Sequence, residues 1–305
     1  MRAVTNIGGS TGGHVILDTD DVAMTERSNL KFGTGLELTD DATNDITQVD
    51  IDYTDIQIMI RDTTYRTDVR FKNLGTRPTS TQIASLRAGD LTWAYNGDFW
   101  NDGTRIWRVV DNTGIMRRRG NTNFDEPSLV IFPDSNLISA EAYLISADGD
   151  STNGYSSCAY RTRTDGKGRA QCKSIINSWL NGEGSIAAHR ELMSSAKTAN
   201  GATNWAWTDA DVELPSEANI YGHSAWSKSY YSNVHFGGAY NIGTQWGQFA
   251  LFRLAPYMAI NRSENYWLRD IVNASYWAFV NNNGIAGYLG ASDTRVGLRP
   301  FFILA

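Results

Sequence analysis

The 305-residue chain has two cysteines, six prolines, four histidines and six lysines. Two cysteines exclude a disulfide framework, and no Cys-x-x-Cys pair is present. Cys158 and Cys172 stand fourteen positions apart around the polar run 161–169. A disulfide could staple that loop, but two free thiols is the preferred reading, and the pair does not set a redox compartment. No run of about 18 apolar residues occurs, so no bilayer-spanning helix is expected. The opening Met1-Arg2-Ala3-Val4-Thr5-Asn6 lacks the apolar stretch of a secretion signal. Six prolines and 28 glycines exclude a collagen or a disordered linker protein. Arginine (21) far outnumbers lysine, yet no basic stripe forms, so nucleic acid is excluded as a partner.

What is present is enough apolar residue (41%) for a large core, and many aromatics, with ten Trp and fourteen Tyr. Charge is unevenly placed. Residues 1–60 carry eleven acidic and three basic residues, a balance of −8, against −6 for the whole chain. The remainder is therefore slightly basic. An acidic stretch confined to one end reads as an arm with its own partner, or as a solvated end.

The arm, residues 1–60, shows short apolar–polar alternations: Val15-Ile16-Leu17, Leu30-Lys31-Phe32, Leu36-Glu37-Leu38 and the run 46–51. Such strands cannot bury much surface alone, so they need a symmetry mate or a surface to lie on. Ile56-Gln57-Ile58-Met59-Ile60 predicts a further strand, and residues 72–80 read as a linker, so 61–79 is a strand and linker. Residues 80–305 form the main domain. Within it Leu91-Thr92-Trp93-Ala94-Tyr95, Trp100, residues 105–110 and 128–132 read as strands. Residues 173–180 have helical spacing, with a stop at Asn181-Gly182. Residues 185–198 are a second helix candidate, and Pro215-Ser216-Glu217 opens a helical turn. From 221 onward there is almost no helix signal. The apolar end, Phe301-Phe302-Ile303-Leu304-Ala305, predicts a buried closing strand. The fold class is α+β and β-dominated.

A search for chemistry returns little. His14, His189, His223 and His235 are scattered, and no zinc spacing or nucleophile motif is present. His223 and His235 read as hydrogen-bonding loop residues. Carboxylate pairs such as Asp209/Asp211 and Glu213/Glu217 are easily met by chance among 33 acids. No phosphate loop follows Gly237-Gly238. No catalytic residue, metal ligand or cofactor is predicted.

The remaining signal is a stretch of aromatics among small polar residues, 273–295. Tyr, Asn, Ser and Gly suit adaptable recognition surfaces, combining rigid rings with flexible hydrogen bonding. Small residues at 274, 278, 284, 286 and 291 can pack inward. That leaves Tyr276, Trp277, Phe279, Asn281, Asn282, Asn283, Ile285, Tyr288, Leu289, Asp293 and Arg295 as the candidate ligand-binding set. About half of the large rings are expected in the core, since large rings mostly bury.

Tyr266-Trp267-Leu268-Arg269-Asp270, then Ala278-Phe279-Val280 and Gly284, then Gly297-Leu298-Arg299-Pro300-Phe301, resembles the "YWLRS … V…G … GVRP" ending of a domain of unknown function. That domain occurs in phage virion proteins and bacterial surface proteins. Ala88-Gly89-Asp90 with Trp107-Arg108-Val109-Val110, Ser178-Trp179-Leu180-Asn181 and Leu214-Pro215-Ser216-Glu217 are similar to its earlier pieces, in order. Asp270 stands where the family usually has Ser, and Leu298 where it has Val. The arm resembles the N-terminal region of phage fibre proteins through Val15-Ile16-Leu17-Asp18, Met24, Arg27, Leu30-Lys31-Phe32 and Asp40-Asp41-Ala42-Thr43-Asn44.

The resemblance implies a C-type-lectin-like domain of the kind found in phage tropism determinants and formylglycine-generating enzymes. Formylglycine chemistry is not carried over, because both cysteines lie far upstream of the matching ending. Some phage proteins with this ending are varied by diversity-generating retroelements, which would make 273–295 the variable face. The implied protein is a head or tail fibre at the virion surface. Its arm would hold a homotrimer and bind capsid or tail proteins, and its lectin-like domain would bind a host-surface glycan or protein. A purely structural capsid decoration is the alternative, and a glycan-acting enzyme a third reading. No membrane insertion is implied.

Deleting residues 1–60 is expected to leave a cooperatively melting domain that no longer joins the oligomer or the particle. Size-exclusion chromatography and a virion incorporation assay check this; a truncated protein that still assembles contradicts the arm's role.

Overall fold

The structure, a computed structural model, describes residues 36–41, 46–51, 69–112, 129–140, 153–227 and 248–305. It divides into Met1–Thr64 and Tyr65–Ala305. In the first unit β1 (Leu36–Asp41) and β2 (Ile46–Ile51) form an antiparallel hairpin, with Leu36 opposite Ile51 and Leu38 opposite Val49. The expected strands at 15–17, 30–32 and 56–60 lie outside the described residues.

The second unit is strand-rich α+β. Its first helix, α1 (Ser80–Arg87), is closed by a capping box in which Thr79 and Gln82 each bond the other's backbone amide. It buries Ile83 and Leu86. The stretch before it is not a free linker. Lys72 and Leu74 exchange backbone hydrogen bonds with Phe99, and Val69 and Asn73 bridge to Asn96 and Phe99. The expected strand at 91–95 is instead a turn, because the Asp90 carboxylate accepts the Thr92 amide and hydroxyl.

A five-stranded sheet follows. Its strands are β3 (Phe99–Asn101), β4 (Ile106–Asp111), β5 (Leu129–Pro133), β8 (Val212–Glu213) and β13 (Phe301–Leu304). Their spatial order is β3-β4-β5-β13-β8, every pair antiparallel. The chain's closing segment is thus an interior strand. Phe302 and Leu304 enter one core with Trp107, Ile131 and Trp179. Phe301 and Ile303 enter a second with Val110, Phe132 and Phe249. A strand covered on both faces has no polar positions, which is why it reads as an unbroken apolar run.

Between β5 and β8 lie α2 (Ala159–Thr162) and α3 (Arg169–Leu180). Helix α3 starts four residues earlier than its apolar spacing suggests and stops as expected, with Asn181 left-handed at φ 51°. It buries Cys172, Ile176, Trp179 and Leu180, and Trp179 stacks on Trp107 with centroids 4.5 Å apart. Residues expected as a second helix form β6 (His189–Thr198), paired with β7 (Gly201–Ala210) in a long hairpin. The alternation was hidden because polar residues, His189, Glu191 and Lys197, occupy its buried positions.

The second sheet comprises β9 (Asn265–Ile271), β10 (Tyr276–Val280), β11 (Ala286–Gly290) and β12 (Val296–Gly297), in the order β11-β10-β9-β12. It also separates the two cores: Trp267 and Trp277 face the first, Tyr266, Leu268, Ala278 and Val280 the second. The second core is lined further by α4 (Glu217–Tyr221), by α5 (Ala250–Leu254) and by the 3-10 turn Pro256–Ala259. These last two were not expected, because elements of five and four residues are too short to show a period.

Arg299 precedes the closing strand and is 1% exposed. Its Nε donates to the Pro133 carbonyl and its Nη1 to the Ala259 carbonyl, each at 2.6 Å. The guanidinium lies over the Phe132 and Tyr266 rings, 4.1 and 5.0 Å from their centroids. It therefore joins the end of β5, the 3-10 turn and the second core. Removing one member of such a buried polar set costs about 3–5 kcal/mol. Arg299→Ala is expected to lower Tm by on the order of 10 °C, and Arg299→Lys to rescue little, since one ammonium cannot reproduce the planar fork. An unchanged melting curve contradicts this.

Candidate recognition face

The β10–β11 hairpin is built by asparagines. At its entry the Asn273 carbonyl Oδ1 accepts the Ser275 and Tyr276 amides. At its tip the Asn281 Oδ1 accepts the Asn283 and Ile285 amides at 2.9 and 2.8 Å. Asn265 Oδ1 accepts the Asn282 amide, and the Tyr221 hydroxyl donates to the Gly284 carbonyl. Gly284 is left-handed at φ +83°, and a Cβ there would meet Ile260 at 2.7 Å. Glycine is thus required twice over, by conformation and by space.

The register sets Tyr276 opposite Gly290 and Ala278 opposite Tyr288. Tyr276 and Tyr288 therefore stand diagonally on one face, with ring centroids 5.5 Å apart and edge to face. Trp226, from the loop after α4, completes the group 4.7 Å from Tyr288. The three are 41–43% exposed. Half-exposed rings locked against one another give a rigid apolar surface with polar atoms at its margin.

The other expected site residues divide. Asn282, Asn283, Ile285 and Arg295 are exposed. Phe279, Asn281, Leu289 and Asp293 are half-buried. Phe279 meets the Trp267 ring edge to face, and Leu289 packs on the first core. Asp293 is engaged by Arg295 at 2.5 Å, which holds its carboxyl below the usual range. Trp277 leaves the set: it is fully buried in the first core, because its strand position alternates with Tyr276 and faces inward. Trp226 was missed. Its only sequence signal is a tryptophan among Ser and Ala, and its placement depends on a side chain nine positions earlier.

That side chain is Glu217. It is fully buried, and its carboxylate accepts the amides of Ala225, Trp226 and Ser227 and the hydroxyls of Ser224 and Ser227, at 2.8–3.1 Å. The loop is folded around this anion. Asp270 lies beside it, accepting the Glu217 amide at 2.6 Å. Burial first, and the Glu217 charge second, push the Asp270 carboxyl up to about 8.

The remaining chemistry-bearing residues have structural partners. Asp211 pairs with Lys173 and Arg169, while Glu213 binds the Tyr155 hydroxyl and the guanidiniums of Arg161 and Arg169. Asp209 meets Arg190. The sequence pairs Asp209/Asp211 and Glu213/Glu217 are therefore each drawn to different partners. Cys158 and Cys172 are free and buried, and burial pushes the Cys158 thiol up to about 12. His223 is an exposed loop residue near the Ser224 carbonyl, and His189 is buried, held neutral by desolvation. His14 and His235 lie outside the described residues. Among the described residues no cluster of three His, Cys, Asp or Glu could hold a metal ion, and no helix is long and apolar enough to cross a membrane. No known protein family, curated protein or solved structure matches the chain.

The folded protein holds the Asp270 proton more tightly than the unfolded chain does. Its contribution is complete below the unfolded carboxylate range and is lost as pH rises through about 8. Glu213, which burial raises to about 7, acts in the same direction. His189 opposes them only below its ordinary value. Stability is therefore expected to fall between pH ~6.5 and ~8.5, and Asp270→Asn to flatten the upper part of that fall. Thermal melts across this window check it; a rising curve contradicts it.

Proposed function

We propose that the chain is a phage virion surface protein, a head or tail fibre. Its 65–305 unit displays a lectin-like binding face to a host-surface glycan. The observation that carries this reading is the ring group Trp226, Tyr276 and Tyr288, held half-exposed against one another where the β10–β11 hairpin meets the loop after α4. Exposed aromatic groups of this kind mark interaction sites. Amphipathic rings can stack against the carbon faces of sugars while exposed Asn282 and Asn283 offer amides to their hydroxyls.

The short motifs quoted above support the reading by their order along the chain. The residues of the "YWLR" stretch form β9, and those of the "GVRP" ending supply β12 and Arg299. Weak individual sites would suffice, because several copies on one particle bind with combined avidity. The acidic arm would supply attachment and trimer formation.

The triple variant Trp226→Ala, Tyr276→Ala, Tyr288→Ala is expected to lower host-cell binding at least about 100-fold, since aromatic anchors each contribute about 2 kcal/mol or more. Tm should move by no more than a few degrees, because the rings are already half in water. Binding retained in the triple variant would place the recognition face elsewhere and favour a capsid decoration role.

A further inference from the structure

A cleft of about 440 Å³ opens between α3, the β3–β4 turn and the segment before α1. It shares no residue with the aromatic face. One wall carries Ser174 and Ser178, one turn apart on the exposed side of α3. Arg77 and Arg105 also line the cleft, and neither has a side-chain hydrogen bond or ion pair among the described residues. Ile175 and Trp179, stacked on Trp107, close the floor.

The polar atoms of the floor are already committed. The Trp107 Nε1 donates to Asp102 at 2.8 Å, and the Trp179 Nε1 to the Thr76 carbonyl at 2.9 Å. What the floor presents to a ligand is therefore chiefly the alkyl surface of half-buried Ile175, since Trp107 is fully buried and Trp179 nearly so. The second Asp102 oxygen accepts the Thr104 and Arg105 amides, both at 2.7 Å. This carboxylate is structural, and its Trp107 and backbone donors outweigh burial to hold its carboxyl below the usual range. With Asp102 ionised and two arginines above it, the cleft carries one net positive charge.

We propose that this cleft binds a monoanionic sugar, a hexuronic acid unit or a similar carboxylated saccharide. The carboxylate sits between the guanidiniums of Arg77 and Arg105, whose planar forks suit carboxylate oxygens. Ser174 and Ser178 take ring hydroxyls, and the carbon face of the ring lies on Ile175. The volume falls in the range of small-molecule sites. A single net charge selects a monoanion over a dianion, and the two serines and the apolar floor select a ring over a bare ion. The site stands independently of the aromatic face, so either can fail without the other.

Calorimetric titration of the full-length protein with glucuronate, glucose and inorganic phosphate tests this. Glucuronate is expected to bind, glucose to bind at least tenfold more weakly, and raised salt to weaken glucuronate alone. Arg77→Ala with Arg105→Ala should reduce glucuronate affinity at least tenfold with an unchanged Tm. Ser174→Leu with Ser178→Leu, which fills the cleft from the exposed side of α3, should do the same, and serves if the arginine variant melts early. The Trp226, Tyr276, Tyr288 triple variant should bind glucuronate as the parent does. Equal binding of glucose, tighter binding of phosphate, or glucuronate affinity untouched by both cleft variants overturns the proposal.

Discussion

The interaction on which the second unit depends is the insertion of its closing strand between β5 and β8. Phe301, Phe302, Ile303 and Leu304 are each wholly buried, alternately in the two cores. Neither core is complete until the final residues arrive. The strand joins residues 212–213 to residues 129–131, so its pairings are long-range in sequence and close long loops. Arg299 anchors its entrance. A guanidinium in that position is tolerated because it bonds carbonyls and faces aromatic rings, so its charge is never left without acceptors.

Buried charge recurs through the unit, and two carboxylates in particular organise backbone. Asp98 accepts the Arg70 guanidinium together with the Lys72 and Tyr95 amides, which ties the first extended segment to the turn before β3. Glu217 draws three amides and two hydroxyls around itself and so sets the loop that carries Trp226. A buried carboxylate with that many donors is an alternative to a packed core where the chain is short of apolar residues. The neighbouring Asp270 avoids adding a second negative charge, because burial and Glu217 keep its proton on to about pH 8. A protonated acid is neutral and hydrogen-bonding.

The aromatic face inherits its rigidity from this arrangement. The asparagine-built hairpin fixes Tyr276 and Tyr288, and the Glu217 loop fixes Trp226 against them. Pre-set rings lose little conformational entropy on binding. The arginine cleft draws on a different part of the fold, the Trp107–Trp179 stack, so the unit presents two surfaces of distinct chemistry.

The sequence by itself determined the elements whose pattern is local. Helix α3 announced itself by apolar spacing and an Asn-Gly stop, α4 by Ser216 at its cap, and β13 by an uninterrupted apolar run. The acidic arm's hairpin strands, 36–41 and 46–51, were visible as alternation. The strand-rich α+β class was legible for the same reason, whereas the hairpin bearing the face showed only as aromatics among small polar residues. Tertiary structure alone decided the rest. Strand β6 looked helical because its inward positions hold His189, Glu191 and Lys197, whose burial depends on partners distant in sequence. Trp277 and Tyr276 are chemically alike as neighbours, and only the pairing of β10 with β9 and β11 turned one inward and left the other in water. Trp226 joined the face through a loop whose course is set by hydrogen bonds to the buried Glu217 carboxylate, and Arg105 came to line a cleft with Arg77 through a turn built on Asp102. Such bonds join residues by position in space, and no spacing along the chain records them.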